Sequence, residues 1–368
     1  MMSLGMEEQE IADPIRTLHC VVGMNRGGLE TLKMNLYRKM DRSLVQFDFL
    51  VSLKGAYDEE IKELGGRIFY TPFIDKVGPL RYAKNLRDFF IAHPEYTIIH
   101  IQMDRFGGFI AKQAKKAGVP YRLLHCDNTL SDGNFIVRTV KNYYGRYINK
   151  ATHFIACGED AARWMFHKTD GVKYVRNGVD LNIFTNEDKR DVGAFTIAHV
   201  GRFDKVKNHT FLIDIFKEVL KLQPDARLLL VGIGKELTAI QDKVKALNLS
   251  SSVEFVGQTS DVASILQRAD VFCLPSLHEG LPVTLIEAQA CGVPCVVSDA
   301  VTKEVKIVKD QFDFISLDEE PKVWAERLLQ YKGLIREDNK DILRKAGYDI
   351  SDLAAEMQVF YLSFSEHK

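Results

Sequence analysis

Uninterrupted apolar runs of the length a bilayer requires, about 18 residues, are missing from this sequence, so no stretch of it reads as a membrane-spanning helix. The opening MMSLGMEEQEIADP is polar and acidic, without the basic start and apolar core of a secretion signal, and residues 1–13 are expected to form a disordered tail. No excess of charge of either sign exists: 49 Lys and Arg stand against 50 Asp and Glu, a formal net charge of -1. That excludes a nucleic-acid binder whose affinity rests on a strongly basic surface. Cysteine is sparse, six in 368 residues, and Cys20, Cys126, Cys157, Cys273, Cys291 and Cys295 show no zinc-ribbon spacing. Most lie in apolar runs, so buried reduced thiols and a cytoplasmic setting are expected. The glycine fingerprint of dinucleotide enzymes is also lacking, because Leu237 stands where the last glycine would follow Gly232 and Gly234. The same stretch is no P-loop, with Leu229 at the first glycine and Glu236 at the magnesium-binding Ser or Thr.

What is present is a long alternation of valine-rich strand patterns with helical ones, the mark of doubly wound parallel sheets. A length of 368 residues exceeds what one core organises and predicts two domains. The polar stretch Thr185–Asp191 reads as the linker, giving domains over 14–185 and 192–346, then a terminal amphipathic helix over 347–368 capped at Ser351.

The most informative stretch is LHEGLPVTLIEAQACGVPCVVSD, Leu277 to Asp299. Pro282 suits a first helical position, the helix runs to Gly292, and Val293 to Ser298 reads as a buried parallel strand. Such an order puts a helix N-terminus at a sheet edge, where backbone N–H groups and the dipole favour an anion such as phosphate. Glu279 and Glu287, seven residues between them, flank that position. A second strand-loop-helix, Ile15 to Val22 followed by Arg26, Gly27 and Gly28, allows close approach of a ligand to backbone, although a plain tight turn fits equally well. In the loop Gly201 to His209, Arg202 and Lys207 can converge on one anion, the first through a planar fork and the second as a point charge. His125 follows the strand Tyr121 to Leu124, at a strand end where ligands sit in parallel sheets, although a structural histidine fits that pattern as well.

Taken in order, Gly27-Gly28, His125 to Asn128, NGVDLNIF at 177–184, the GRxxxxKNH spacing at Gly201 to His209, and the Glu279/Glu287 pair with AQACGVPCVVSD resemble the retaining nucleotide-sugar glycosyltransferases of family 4, over nearly the whole chain. The resemblance implies a GT-B fold: two Rossmann-like domains facing a cleft, with the final helix crossing back to the first domain. It implies donor contacts from Gly27 and Gly28, diphosphate binding by Arg202 and Lys207, and a pocket for the base around Val256 and Gly257. It further implies support of the donor sugar by Glu279, ribose binding by Glu287, and main-chain groups at Gly280, Leu281, Val283 and Thr284 around sugar and phosphate. His125 is implied as the contact to the transferred sugar or acceptor; Asp127 departs from the second histidine usual there. No metal and no cofactor are then needed, the donor being the nucleotide sugar itself. The reaction implied is hexosyl or N-acetylhexosaminyl transfer, with retention by front-face attack, to a glycan or lipid-linked hydroxyl in bacterial surface-polysaccharide assembly. The stretch 137–150, basic residues among tyrosines, reads as an amphipathic helix with a solvated basic face or as a contact to an anionic membrane surface. A glycoside hydrolase would have no use for the cations beside a helix N-terminus. An epimerase of the same fold and a noncatalytic sugar-nucleotide sensor remain as alternatives.

Overall fold

Thirteen strands and thirteen α-helices are found in the computed structural model, which describes residues 13–127, 135–191 and 193–365. The expected tail, up to residue 12, and Asn128 lie outside them. In the first half, strands β1 Ile15–Cys20, β2 Val45–Val51, β3 Ile68–Tyr70, β4 Ile98–Ile101, β5 Tyr121–Cys126, β6 His153–Ala156 and β7 Val172–Tyr174 alternate with helices. Those helices are α1 Gly28–Lys39, α2 Asp58–Glu63, α3 Ile74–Ala92, α4 Gly107–Lys116, α5 Phe135–Gly145 and α6 Glu159–Phe166. The second half continues with β8 Thr196–Val200, β9 Arg227–Val231, β10 Val253–Gly257, β11 Val271–Leu274, β12 Cys295–Ser298 and β13 Phe312–Ile315. Its helices are α7 His209–Leu222, α8 Leu237–Ala246, α9 Val262–Gln267, α10 Val283–Ala290, α11 Pro321–Leu329, α12 Lys340–Lys345 and α13 Ile350–Leu362.

The strands form two parallel sheets, in the orders β3-β2-β1-β4-β5-β6-β7 and β10-β9-β8-β11-β12-β13. In each, the order reverses beside its first strand, between β1 and β4 and between β8 and β11, and such reversals leave a crevice at the strands' C-terminal ends. Among the described residues, 13–125, 135–155 and 354–365 pack as one compact unit; 126–127, 156–191 and 193–353 pack as the other. Helices on both faces explain why every residue of β2 is buried, the polar Gln46 and Asp48 included. The second sheet is cored by Ile197, Leu228, Leu230, Val271, Cys273 and Val296 against Leu212, Phe216 and Trp324. Burying side chains of this kind contributes about 1.5–3 kcal/mol each.

Four expectations change. Pro282 is the N-cap of α10, not its first residue: its ψ of 109° is extended, so the helix begins at Val283. Ser351 lies inside α13, and the cap is Asp349, whose Oδ1 accepts the Ser351 N–H at 2.8 Å. β5 runs on to Cys126, so His125 lies within the strand and is buried. On α5 no face is buried, neither the apolar nor the basic one. Phe135 and Ile136 are 83% and 70% exposed and Arg138 is exposed too, while Lys141 pairs with Asp104 at 2.8 Å and, just past the helix, the Arg146 guanidinium lies 3.8 Å from the Tyr143 ring.

Candidate active site

In the second unit, β8 and β11 end side by side at the reversal of strand order, and the loops that leave them meet. The Leu277 N–H donates to Val206 O at 2.8 Å, and Asn208 Nδ2 donates to Pro275 O at 3.1 Å. Asn208 adopts a left-handed conformation, φ 55°, at the start of α7, which turns the chain sharply after Lys207. Between these ties the Lys207 ammonium comes within 2.6 Å of Glu279 Oε1, both side chains being mostly buried. The pair is off the hydrogen-bond axis, since Glu279 Oε1 has no hydrogen-bond partner among the described residues, so charge attraction joins it. Glu279 is further held by a parallel bridge to Val301.

Arg202 behaves differently. Its side chain is 78% exposed and reaches Asp204 at 3.3 Å. Asp204 also accepts the Lys207 N–H at 3.2 Å through its carboxylate, which closes the short turn carrying Lys207.

Gly280 and Leu281 lead to α10, whose first residues are Val283 and Thr284. No side chain caps this helix, and the hydroxyl of Thr284 is buried without a hydrogen-bond partner among the described residues. One turn further in, the Glu287 side chain forms no hydrogen bond or ion pair among the described residues, and burial pushes its carboxyl up to about 7. Part of the residue remains accessible. The desolvation comes from apolar neighbours on the helix, Leu285, Ile286 and Ala288, all fully buried. A carboxylate so placed can accept hydrogen bonds from a polyhydroxyl ligand.

Gly257 closes β10 at φ +78° after a bulge beside Phe255, and its carbonyl accepts the Gly232 N–H at 2.8 Å. Val256 is half-buried. Gly232 is the glycine that the fold requires: its φ is +135°, and a Cβ there would stand 2.1 Å from Gly201 O. The loop after β9 therefore supports the loop after β8 backbone to backbone.

Sequence reasoning missed the histidines beneath this loop. His199 in β8 is fully buried and its Nδ1 donates to Cys273 O at 2.8 Å, which leaves Nε2 as the acceptor, facing Gly201 and the stem of Lys207. Burial and the neighbouring His209 hold it well below the usual histidine range. His209 stacks on Phe203 at 4.0 Å, and burial lowers it to about 4. His199 sits on β8 and His209 opens α7, and the loop between them folds back to bring the two rings within 4.6 Å.

The remaining predicted residues belong to the first unit. Gly27 is the N-cap of α1; Gly28 begins it and is exposed, with nothing within 4 Å of a Cβ placed there. His125 is buried on β5, with Nδ1 3.0 Å from His100 Nε2. Among the described residues no group of three or more His, Cys, Asp or Glu side chains could hold a metal ion. No helix there is long and apolar enough to cross a membrane.

Residues 183–341 match the family model of Glycosyl transferases group 1. EpsF of Bacillus subtilis (strain 168), which is named as a glycosyltransferase, is 39% identical over 371 residues, covering 95% of this chain and 97% of that protein. The chain belongs to the group 1 glycosyltransferases. As a member of that family it is also similar to the capsular polysaccharide biosynthesis glycosyltransferase CapH of Staphylococcus aureus, 25% identical over 373 residues, 95% of this chain and 99% of that one. The crystal structure of Anabaena Alr3699/HepE in complex with UDP superposes with a TM-score of 0.75 at 16% identity, covering 95% of this chain and all of that one. The group 1 glycosyltransferase fold is thus GT-B, two parallel-sheet α/β domains.

Proposed function

We propose that this glycosyltransferase moves a hexose or N-acetylhexosamine from a UDP-linked donor to a hydroxyl of a glycan or lipid-linked acceptor, with retention at the anomeric carbon, in bacterial capsular or other surface-polysaccharide assembly. The observation that carries the reading is the Lys207–Glu279 pair at the C-terminal ends of β8 and β11, beside the uncapped start of α10. An ammonium and helix N–H groups suit a diphosphate, and the adjacent carboxylate suits the hydroxyls or the developing positive charge of a sugar. Lys207, Arg202 and the amides of Val283 and Thr284 take the diphosphate, with Gly280 and Leu281 beside the sugar. Glu287 accepts from the ribose hydroxyls, and Val256 and Gly257 border the base. Gly27, Gly28 and His125 meet the transferred sugar or the acceptor, with Glu279 supporting the sugar as its bond to phosphate breaks. The leaving diphosphate is neutralised by these cations and the helix, with neither metal nor cofactor, and the acceptor attacks from the same face. HepE's complex with UDP and CapH's place in capsule synthesis support the choice of donor and pathway class. Exposed Phe135 and Ile136 on α5 would rest on an anionic membrane carrying the acceptor.

The deciding experiment is thermal unfolding with UDP, GDP and a panel of their sugars, with and without chelator, followed by anomer-resolved NMR of any transfer product. UDP at a hundred times its dissociation constant stabilises the native state by about 2.7 kcal/mol. Loss of that shift in Lys207→Ala and Glu287→Ala, its survival in chelator, and a retained anomer are expected. Stabilisation by GDP alone, or an inverted product, would overturn the corresponding part.

A further inference from the structure

β11 and β12 are parallel neighbours, so the chain after β12, residues 299–308, leaves the sheet at the same end as the loop that carries Glu279. The bridge between Val301 and Glu279 ties the start of this segment to that loop. Its far end is tied to α10. The Ile307 and Val308 N–H groups donate to Gln289 Oε1 at 3.0 and 2.9 Å, while Gln289 Nε2 donates to Val305 O and Leu285 O, each at 2.9 Å. Gln289 is fully buried.

Backbone N–H only donates and a backbone carbonyl only accepts, so these partners fix which end of the amide is oxygen. Glutamine is mostly an exposed residue, and burying its amide costs free energy unless its polar atoms are bonded. Here both N–H groups and both oxygen lone pairs are used, all on backbone partners. Gln289 lies two positions past Glu287, about 200° around the helix, so the two side chains leave α10 on different sides. Along the chain, Glu279 and the start of α10 are joined only through Gly280, Leu281 and Pro282. The amide supplies a second route, from α10 through residues 305–308 and Val301 to Glu279. Two connections fix an orientation that one leaves free to swing.

We infer that Gln289 is a positioning residue for sugar transfer: it holds residues 301–308 against α10 and, through the Val301 bridge, sets Glu279 at a fixed place relative to the helix N-terminus. This rests on the parts given to Glu279 and the start of α10 in the proposed function. The two halves of the donor, diphosphate at the helix and sugar at Glu279, are then registered against each other by an amide that touches neither.

The test uses the full-length protein and titration calorimetry with UDP, UDP-glucose, UDP-galactose and UDP-N-acetylglucosamine, the UDP-sugar that binds the wild type best being carried through the variants. Gln289→Met keeps the length of the side chain and removes its hydrogen bonds; it should weaken the UDP-sugar about tenfold more than UDP. In a Glu279→Gln background the same substitution should change that ratio by less than about twofold, because an effect that passes through Glu279 cannot add to its loss. Asn339→Ala cuts the bond from Asn339 Nδ2 to Gln289 O at 2.9 Å and leaves residues 305–308 untouched, so stability in urea should fall with the ratio unchanged. Equal losses for UDP and the UDP-sugar in Gln289→Met, the same change in both backgrounds, or the same shift of ratio in Asn339→Ala each overturns the inference. Should Gln289→Met not fold, hydrogen exchange of the wild type decides: residues 301–308 should exchange more slowly when saturated with the UDP-sugar than with UDP, and equal exchange overturns it. A Glu279→Gln variant that binds the UDP-sugar as the wild type does removes the part given to Glu279 in the proposed function and the inference with it. An impaired Glu279→Gln beside an uncoupled Gln289→Met removes the inference alone.

Discussion

Glu287 is a side chain whose chemistry is altered by where it sits. The carboxyl of Glu287 is raised from about 4.5 to about 7 by burial, so the folded state binds its proton more tightly than the unfolded one. The stability this confers is present below the ordinary carboxylate range and is lost as pH rises through 7. Glu287→Gln removes that dependence; from pH 5 to 8 the wild type should lose up to about 3 kcal/mol relative to the variant, as urea unfolding across that range would reveal. Partial access of water to Glu287 makes this an upper bound. For Lys207→Ala stability should fall by about 3 kcal/mol, because the mostly buried Glu279 carboxylate then loses its counter-charge. UDP affinity, measured by titration calorimetry, should fall at least tenfold, whereas Arg202→Ala, exposed and turned to Asp204, should cost less in the absence of an acceptor.

Elements carry the site through loops at strand ends, and the support of one loop by another is the feature most open to mutation. Gly232→Ala would force a left-handed backbone on a residue with a Cβ, which costs roughly 1–3 kcal/mol, and would push that Cβ into Gly201 O. Both stability in urea and UDP binding should drop together. A surface glycine also at positive φ but with open space, such as Gly333 at φ +75°, should lose stability alone on substitution by Ala. Elements were the readable part of the sequence: β9, β11, α6 and α9 end where their apolar runs and flanking breakers indicate. Boundaries slipped where a residue was assigned one local role and took another, as at Pro282 and at Ser351, where Asp349 supplies the cap. The Lys207–Glu279 contact joins positions 72 residues apart, and nothing local in the sequence announces it. The same holds for His19, His100 and His125, whose alignment is a product of strand order. On α5, composition revealed the basic and aromatic mixture but not which partner each cation finds.

For the whole molecule, acid sensitivity should divide between the two units. His19 and His100 in one, His199 and His209 in the other, have folded values depressed mainly by burial, with His209 near 4. Their contribution to stability is complete above pH 6.5 and is lost as pH falls towards the folded values. Each pair should destabilise its unit as pH falls from 6.5 to 5. Glu287 works in the opposite sense in the second unit, gaining its proton over the same interval. Segment-resolved hydrogen exchange should therefore find the first unit opening before the second as pH is lowered, and simultaneous loss of protection would contradict this.

The first unit takes residues 13–125 and 135–155 from the early chain and 354–365 from its end, and the late piece holds Tyr361, whose hydroxyl lies 2.6 Å from His100 Nδ1 on the face of the sheet that also carries His19 and His125. During synthesis, at about 5–20 residues per second, roughly 10–40 s separate the emergence of residue 155 from that of residue 354. Until then the face of β1, β4 and β5 bearing three histidines stands without its tyrosine. The second unit, nearly continuous in sequence, can close before the first is finished. A nascent chain stalled before residue 354 should accordingly protect β8 to β13 from protease while β1, β4 and β5 remain cleavable, and release of the last twelve described residues would act as the signal that completes the protein.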